Sequence, residues 1–65
     1  MRLLAVFEDS SNGSTSEVHA VDDGYLVQFF DHRHVRMDAS DFRTMSRSEA
    51  FNHAGEQHPD VVRIS

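Results

Sequence analysis

The sequence has no cysteine, no lysine, one proline and three glycines among its 65 residues. Without cysteine there is no disulfide and no thiolate zinc site. The loss matters, because a chain this short buries little of its surface and has only a marginal core. Small domains often add a disulfide, a metal or a partner subunit. The supports left open here are self-association and a site built from histidines and carboxylates. The absence of cysteine also fits a reducing compartment. Lacking lysine, the chain sets six arginines against eleven acids, a net charge of −5. Nucleic-acid backbones call for a basic footprint, and none is present. Long hydrophobic runs are missing too. The N-terminal run, Leu3 to Phe7, is too short for a signal-peptide core or a membrane span, so a cytoplasmic chain without membrane contact is expected. Gly13, Gly24 and Gly55 stand apart, each at a turn, and form no phosphate-cradling loop. No serine lies in a Gly-x-Ser-x-Gly elbow. No catalytic, cofactor-binding or metal-binding residues are therefore assigned, and the chain is not expected to be an enzyme.

What is present reads as a single domain over residues 1–65. Leu3–Glu8 is a strand with apolar residues on both faces, which places it centrally in a sheet. The stretch from Asp9 to Ser16 is polar, contains Asn-Gly and reads as a loop. Glu17–Val21 and Tyr25–Phe30 are two further strands, joined by Asp22-Asp23-Gly24, a strong hairpin signal. Val35–Asp38 reads as a fourth strand, and Asp38–Thr44 as a short turn of helix that carries Phe42 into the core. Ser46-Arg47-Ser48-Glu49 fits a capping box, with Met45 and Ala50 placed for a hydrophobic staple. Ala50, Phe51 and Ala54 then share one helix face, with Gly55 as the C-terminal stop. Pro59 bars a return to helix, and Val61–Ile64 is the last strand, expected beside the first. The order β-β-β-β-α-β predicts an α+β fold, a small antiparallel sheet of about five strands with one short helix on one face. A small curled, barrel-like sheet is the alternative.

The stretch FFDHRHVRM, residues 29–37, poses the chemical question. On a continuous strand His32 and His34 would point the same way, as a metal pair does. Zinc asks for three or four ligands, and none of Asp31, Asp38, His53 or His58 is tied to the pair by spacing. The polar gap from Asp31 to His34 divides two apolar runs, which a solvated hairpin tip explains more simply. His53, on the last helical turn, suits the negative end of the helix dipole, and His58 lies in a turn. Phe29 and Phe30 carry the sharper signal. Adjacent strand residues point to opposite faces, so one short helix cannot cover both. An apolar patch on the uncovered face follows, and such patches mark protein interfaces.

These readings converge on a non-enzymatic protein-binding module. Hairpin, SxxEA-capped helix and Pro-Asp-Val-Val strand resemble, in supersecondary order, small phage-encoded inhibitors of host enzymes. The resemblance implies an inhibitor or regulator of a host protein and carries over no individual residue. Leu26, Phe30, His32, Arg33, His34 and Arg36 are the expected partner-binding residues. A homodimeric structural or accessory protein is the first alternative, and a histidine-based metal protein the second.

Overall fold

In the computed structural model, which describes residues 1–65, strand β1 (Arg2–Asp9) runs antiparallel to β2 (Ser14–Val21), and β2 to β3 (Gly24–Phe30). A short β4 (Phe42–Thr44) adds to the far side of β3. Helix α1 (Arg47–Gln57) crosses one face, and β5 (Asp60–Ile64) returns antiparallel to β1. The sheet order is β4-β3-β2-β1-β5, an open α+β fold. β4 and β5 are its two edges, so the curled-barrel alternative does not hold. No helix is long and apolar enough to cross a membrane.

Cross-strand rows explain the core. On the helix side Ser16 lies between Phe7 and Phe29, and Val18 between Ala5 and Val27. Small residues on the central strand make room for large ones on its neighbours, as close packing requires. Above these rows α1 presents Ala50 and Ala54, both fully buried, and their small side chains bring the helix axis close. Phe51 meets Phe7 edge-on at 5.9 Å, and the Arg47 guanidinium lies over the Phe51 ring at 4.9 Å. A bulge between Leu3 and Ala5 shifts the phase of β1. Leu4 therefore joins the core instead of lying on the opposite face with Val6. Two residues on one strand facing one on its partner is how a bulge re-aims a side chain.

Five local expectations are corrected. Val35–Asp38 is not a strand. Only Arg36 bridges back to Phe30, Asp38–Ser40 forms a single 3-10 turn, and the fourth strand sits later, at Phe42–Thr44. The Asp31 carboxylate accepts the amides of both Arg33 and Val35, which removes donors that a strand would need. Phe42 is carried inward as expected, pairing with Val27 and packing against the core. The second strand begins at Ser14, three residues before its expected start at Glu17. Gly55 does not end the helix, which runs to Gln57 with His58 as its cap. Pro59 sets that limit, because the residue before a proline is driven out of helical conformation. At the other end the Ser46 hydroxyl accepts the Glu49 amide at 3.2 Å, as expected, but the Ser46 amide goes to Thr44 Oγ1. Met45 is 86% exposed, so no staple forms.

The uncovered face is less apolar than expected. Leu26 lies there, but it is only 4% exposed. Its cross-strand neighbours are His19 and Arg43, and Gln28 and Glu17 form the adjacent pair. Glu17 and His19 are joined at 3.0 Å. Long polar side chains thus flank the one buried leucine. Val35, Met37, Val61, Val62 and Ile64 are the large apolar residues exposed beyond the termini and Met45, and they belong to the loop after β3 and to β5.

Candidate functional site

A cleft of about 580 Å³ opens between the C-terminal end of α1, the β1–β2 turn and the loop from Asp31 to Asp41. Phe29 and Phe30 come from β3, Met37 and His32 from the loop, Ser14 from the start of β2, and His53 and His58 from the helix and its cap. His53 stacks on Phe42 at 4.0 Å between ring centres and meets Phe29 edge-on at 5.7 Å. His58 lies tilted against the same Phe29, also at 5.7 Å. The role of His53 is therefore packing among aromatics, and the dipole argument does not account for its place.

His58 is 7% exposed, and its Nε2 lies 3.0 Å from Ser14 Oγ. The Ser14 hydroxyl proton goes to Asn12 Oδ1, at 2.6 Å. That leaves the Ser14 oxygen as the acceptor, so His58 is the Nε2–H tautomer. Histidine here donates to serine, the reverse of what a base needs to activate a nucleophile. The other ring nitrogen, Nδ1, is buried with no partner. A second proton would have to enter there, where nothing accepts it. Burial accordingly lowers the His58 pKa from 6.5, opposed by the nearby Asp9 carboxylate.

A pH dependence follows. A depressed histidine binds its proton more readily in the unfolded chain than in the folded one. Its contribution to stability is present above pH 6.5 and is lost as pH falls below it. Urea denaturation should show the stability advantage of the native chain over His58→Gln shrinking between pH 7.5 and 5.5. An advantage that stays constant across that interval would discard the assignment.

The loop that walls the cleft is exposed, yet tied down. Asp31 Oδ1 takes the Arg33 and Val35 amides at 2.9 Å each. The Asp31 amide donates to the Val35 carbonyl, and the Met37 amide to Phe29. Those amide bonds, that from Val35 first, hold the Asp31 pKa below its usual 3.8, so it remains an ionised anchor. Arg36 pairs with Asp41 across the loop at 2.5 Å. His34 takes a left-handed conformation, φ 67°, and its ring stacks on Phe30 at 5.0 Å.

The expected site residues are thus divided. Arg33 and Arg36 project from the loop, with Val35 between them. His32 and His34 do sit on an exposed turn, but not on a strand, and they part company. His32 enters the cleft lining while His34 covers Phe30. No three histidine, aspartate or glutamate side chains are arranged to hold a metal ion. Leu26 lies too deep to touch a partner. Sequence reading missed Asn12, Ser14 and Met37, and gave His53 and His58 only as unlinked candidate ligands or as a helix-end and a turn histidine. Only the placement of His58 before Pro59 hinted at a fixed position. Comparison with known proteins finds no matching family model, no similar curated protein and no similar solved structure.

Proposed function

We propose that this chain is a non-enzymatic, cytoplasmic protein-binding module that docks through the loop from Asp31 to Asp41 and the cleft behind it. The observation that carries this reading is the Asp31 anchor. An exposed loop without a buried side of its own is held in shape by two bonds to one carboxylate, reinforced by the Met37–Phe29 backbone bond and the Arg36–Asp41 pair. Preorganisation of that kind lowers the entropy lost on binding. The shape it presents is mixed. Val35 and Met37 offer apolar contact, and Arg33 is a cation with no intramolecular partner. The partner that fits has an apolar side chain to seat against Phe29, Phe30 and Met37, ringed by carboxylates that meet Arg33. Anchors in a pocket surrounded by a polar rim are the usual distribution of binding energy.

Affinity capture with the whole chain, compared with Arg33→Glu and Asp31→Ala, tests the reading. Arg33→Glu is expected to weaken a stoichiometric partner by about tenfold or more, the size of a hot-spot contact. Asp31→Ala should weaken it as well, although it removes no contacting group, because it releases the loop. Circular dichroism would verify that both variants fold. Equal capture by all three chains, or no partner for any, would overturn the proposal.

A further inference from the structure

We infer that the free edge of β5 pairs with β5 of a second copy of this chain, forming a continuous ten-stranded sheet about a two-fold axis. β5 is an edge strand on which all five residues are exposed, and Val61, Val62 and Ile64 each leave 58–59% of their surface open. Helix α1 lies over β2, β3 and β4 and reaches β1, but it leaves β5 uncovered. An edge strand presents unpaired backbone groups that another strand can take.

The occupant follows from the register. β5 carries a bulge, since Val6 faces Arg63 while Phe7 faces Val61. Directly opposed residues on neighbouring strands share a face. Asp60, opposite Glu8, and Arg63, opposite Val6, therefore lie on the same face, the one away from the helix. In a regular strand residues three apart would lie on opposite faces. The bulge thus makes β5 self-complementary. A two-fold axis between Val61 and Val62 sets Asp60 of each copy against Arg63 of the other, on one face. Four valines gather at the axis. Antiparallel pairing keeps both helices on the same side of the extended sheet. Arg63 has no ion pair within the chain, and Asp60 accepts only a long 3.3 Å bond from the Ser10 amide. Both charges are thus available. The net charge of −5 opposes association at long range, but salt screens it beyond about 8 Å at physiological ionic strength.

This surface lies on the edge opposite the loop of the proposed docking site, so the two inferences stand or fall separately. Sedimentation equilibrium of the whole chain is expected to show a monomer–dimer equilibrium. Asp60→Arg and Arg63→Asp, each alone, set like charges together and should raise the dissociation constant by about tenfold. The double variant restores opposite charges and should return it close to the native value. A chain that stays monomeric to millimolar concentration overturns the inference, whether or not another protein's strand takes the edge. So does a dimer indifferent to both single variants, or a double variant as weak as the singles.

Discussion

Phe29→Ala is expected to remove a large part of the chain's stability at 25 °C. Phe29 is 7% exposed, faces Ser16 across the ladder and receives the rings of His53 and His58 on its sides. Truncating such a residue costs about 3–5 kcal/mol, since transfer energy is lost and a cavity remains. A domain of this length holds roughly 3–10 kcal/mol in total. The loss therefore matches a large part of the whole. Two further features sharpen it. Ser16 is too small to fill the space, and the cleft lies beside it, so water enters where a closed core would relax inward. The neighbouring Phe30→Ala serves as the comparison. Phe30 is half-buried and covered mainly by His34, and its loss is expected to be on the order of 1 kcal/mol, as for an ordinary partly exposed position. Urea denaturation of both variants decides the matter, and equal losses would show that the core has been misidentified.

The second large effect falls on a backbone. Gly24 adopts φ +148°, a conformation that side chains rarely take, and a Cβ there would lie 2.6 Å from the Thr44 carbonyl oxygen. Thr44 belongs to β4, which pairs with Tyr25, the next residue. Gly24→Ala must therefore strain the turn and also push β4 from its neighbour. Strained conformation and overpacking each cost about 1–3 kcal/mol, so a loss of about 2–6 kcal/mol is expected. Gly55→Ala should act in the opposite sense. It lies inside α1, where a Cβ would meet only the Phe7 ring edge at an ordinary 3.8 Å. Alanine in a helix interior is worth about 0.5–1 kcal/mol over glycine. Thermal melts of the two variants should move in opposite directions, and a shared direction would contradict both local geometries.

The contrast between these glycines also shows what could be read without coordinates. The hairpin glycine sits beside Asp-Asp between two strand patterns, and its role follows from local chemistry. Gly55 looks equally suited to stop a helix, yet Pro59 four residues later sets the end. Local rules identified both punctuation marks but could not rank them. The helix start at Ser46, the strand pairing of β1 with β5 and the α+β architecture were legible for the same local reason, namely periodicity and caps. Two things were not. The Asp31 side chain outbids a fourth strand at Val35 through bonds that no apolar pattern records. The cleft depends on Asn12, Ser14, His32, His53 and His58 meeting through tertiary contacts, and their spacings along the chain are unrelated. The exposed patch was misplaced because Glu17, His19 and Gln28 flank Leu26 only once the register is known.

The place of β5 bears finally on the order of assembly. β1 to β4 join through neighbours in the chain, so each pairing closes a short loop. β5 meets β1 only by bringing together residues fifty apart, as the Ser10–Asp60 bond does, and it gains no buried side chain by doing so. Loop closure is then paid in entropy with little burial to set against it. In the monomer, β5 is expected to be the last strand to dock and the first to leave, a seam that pairing with a second copy would close. Its amides are expected to exchange fast in the monomer and to slow when a second copy pairs with the edge, which hydrogen exchange at low and high concentration would read.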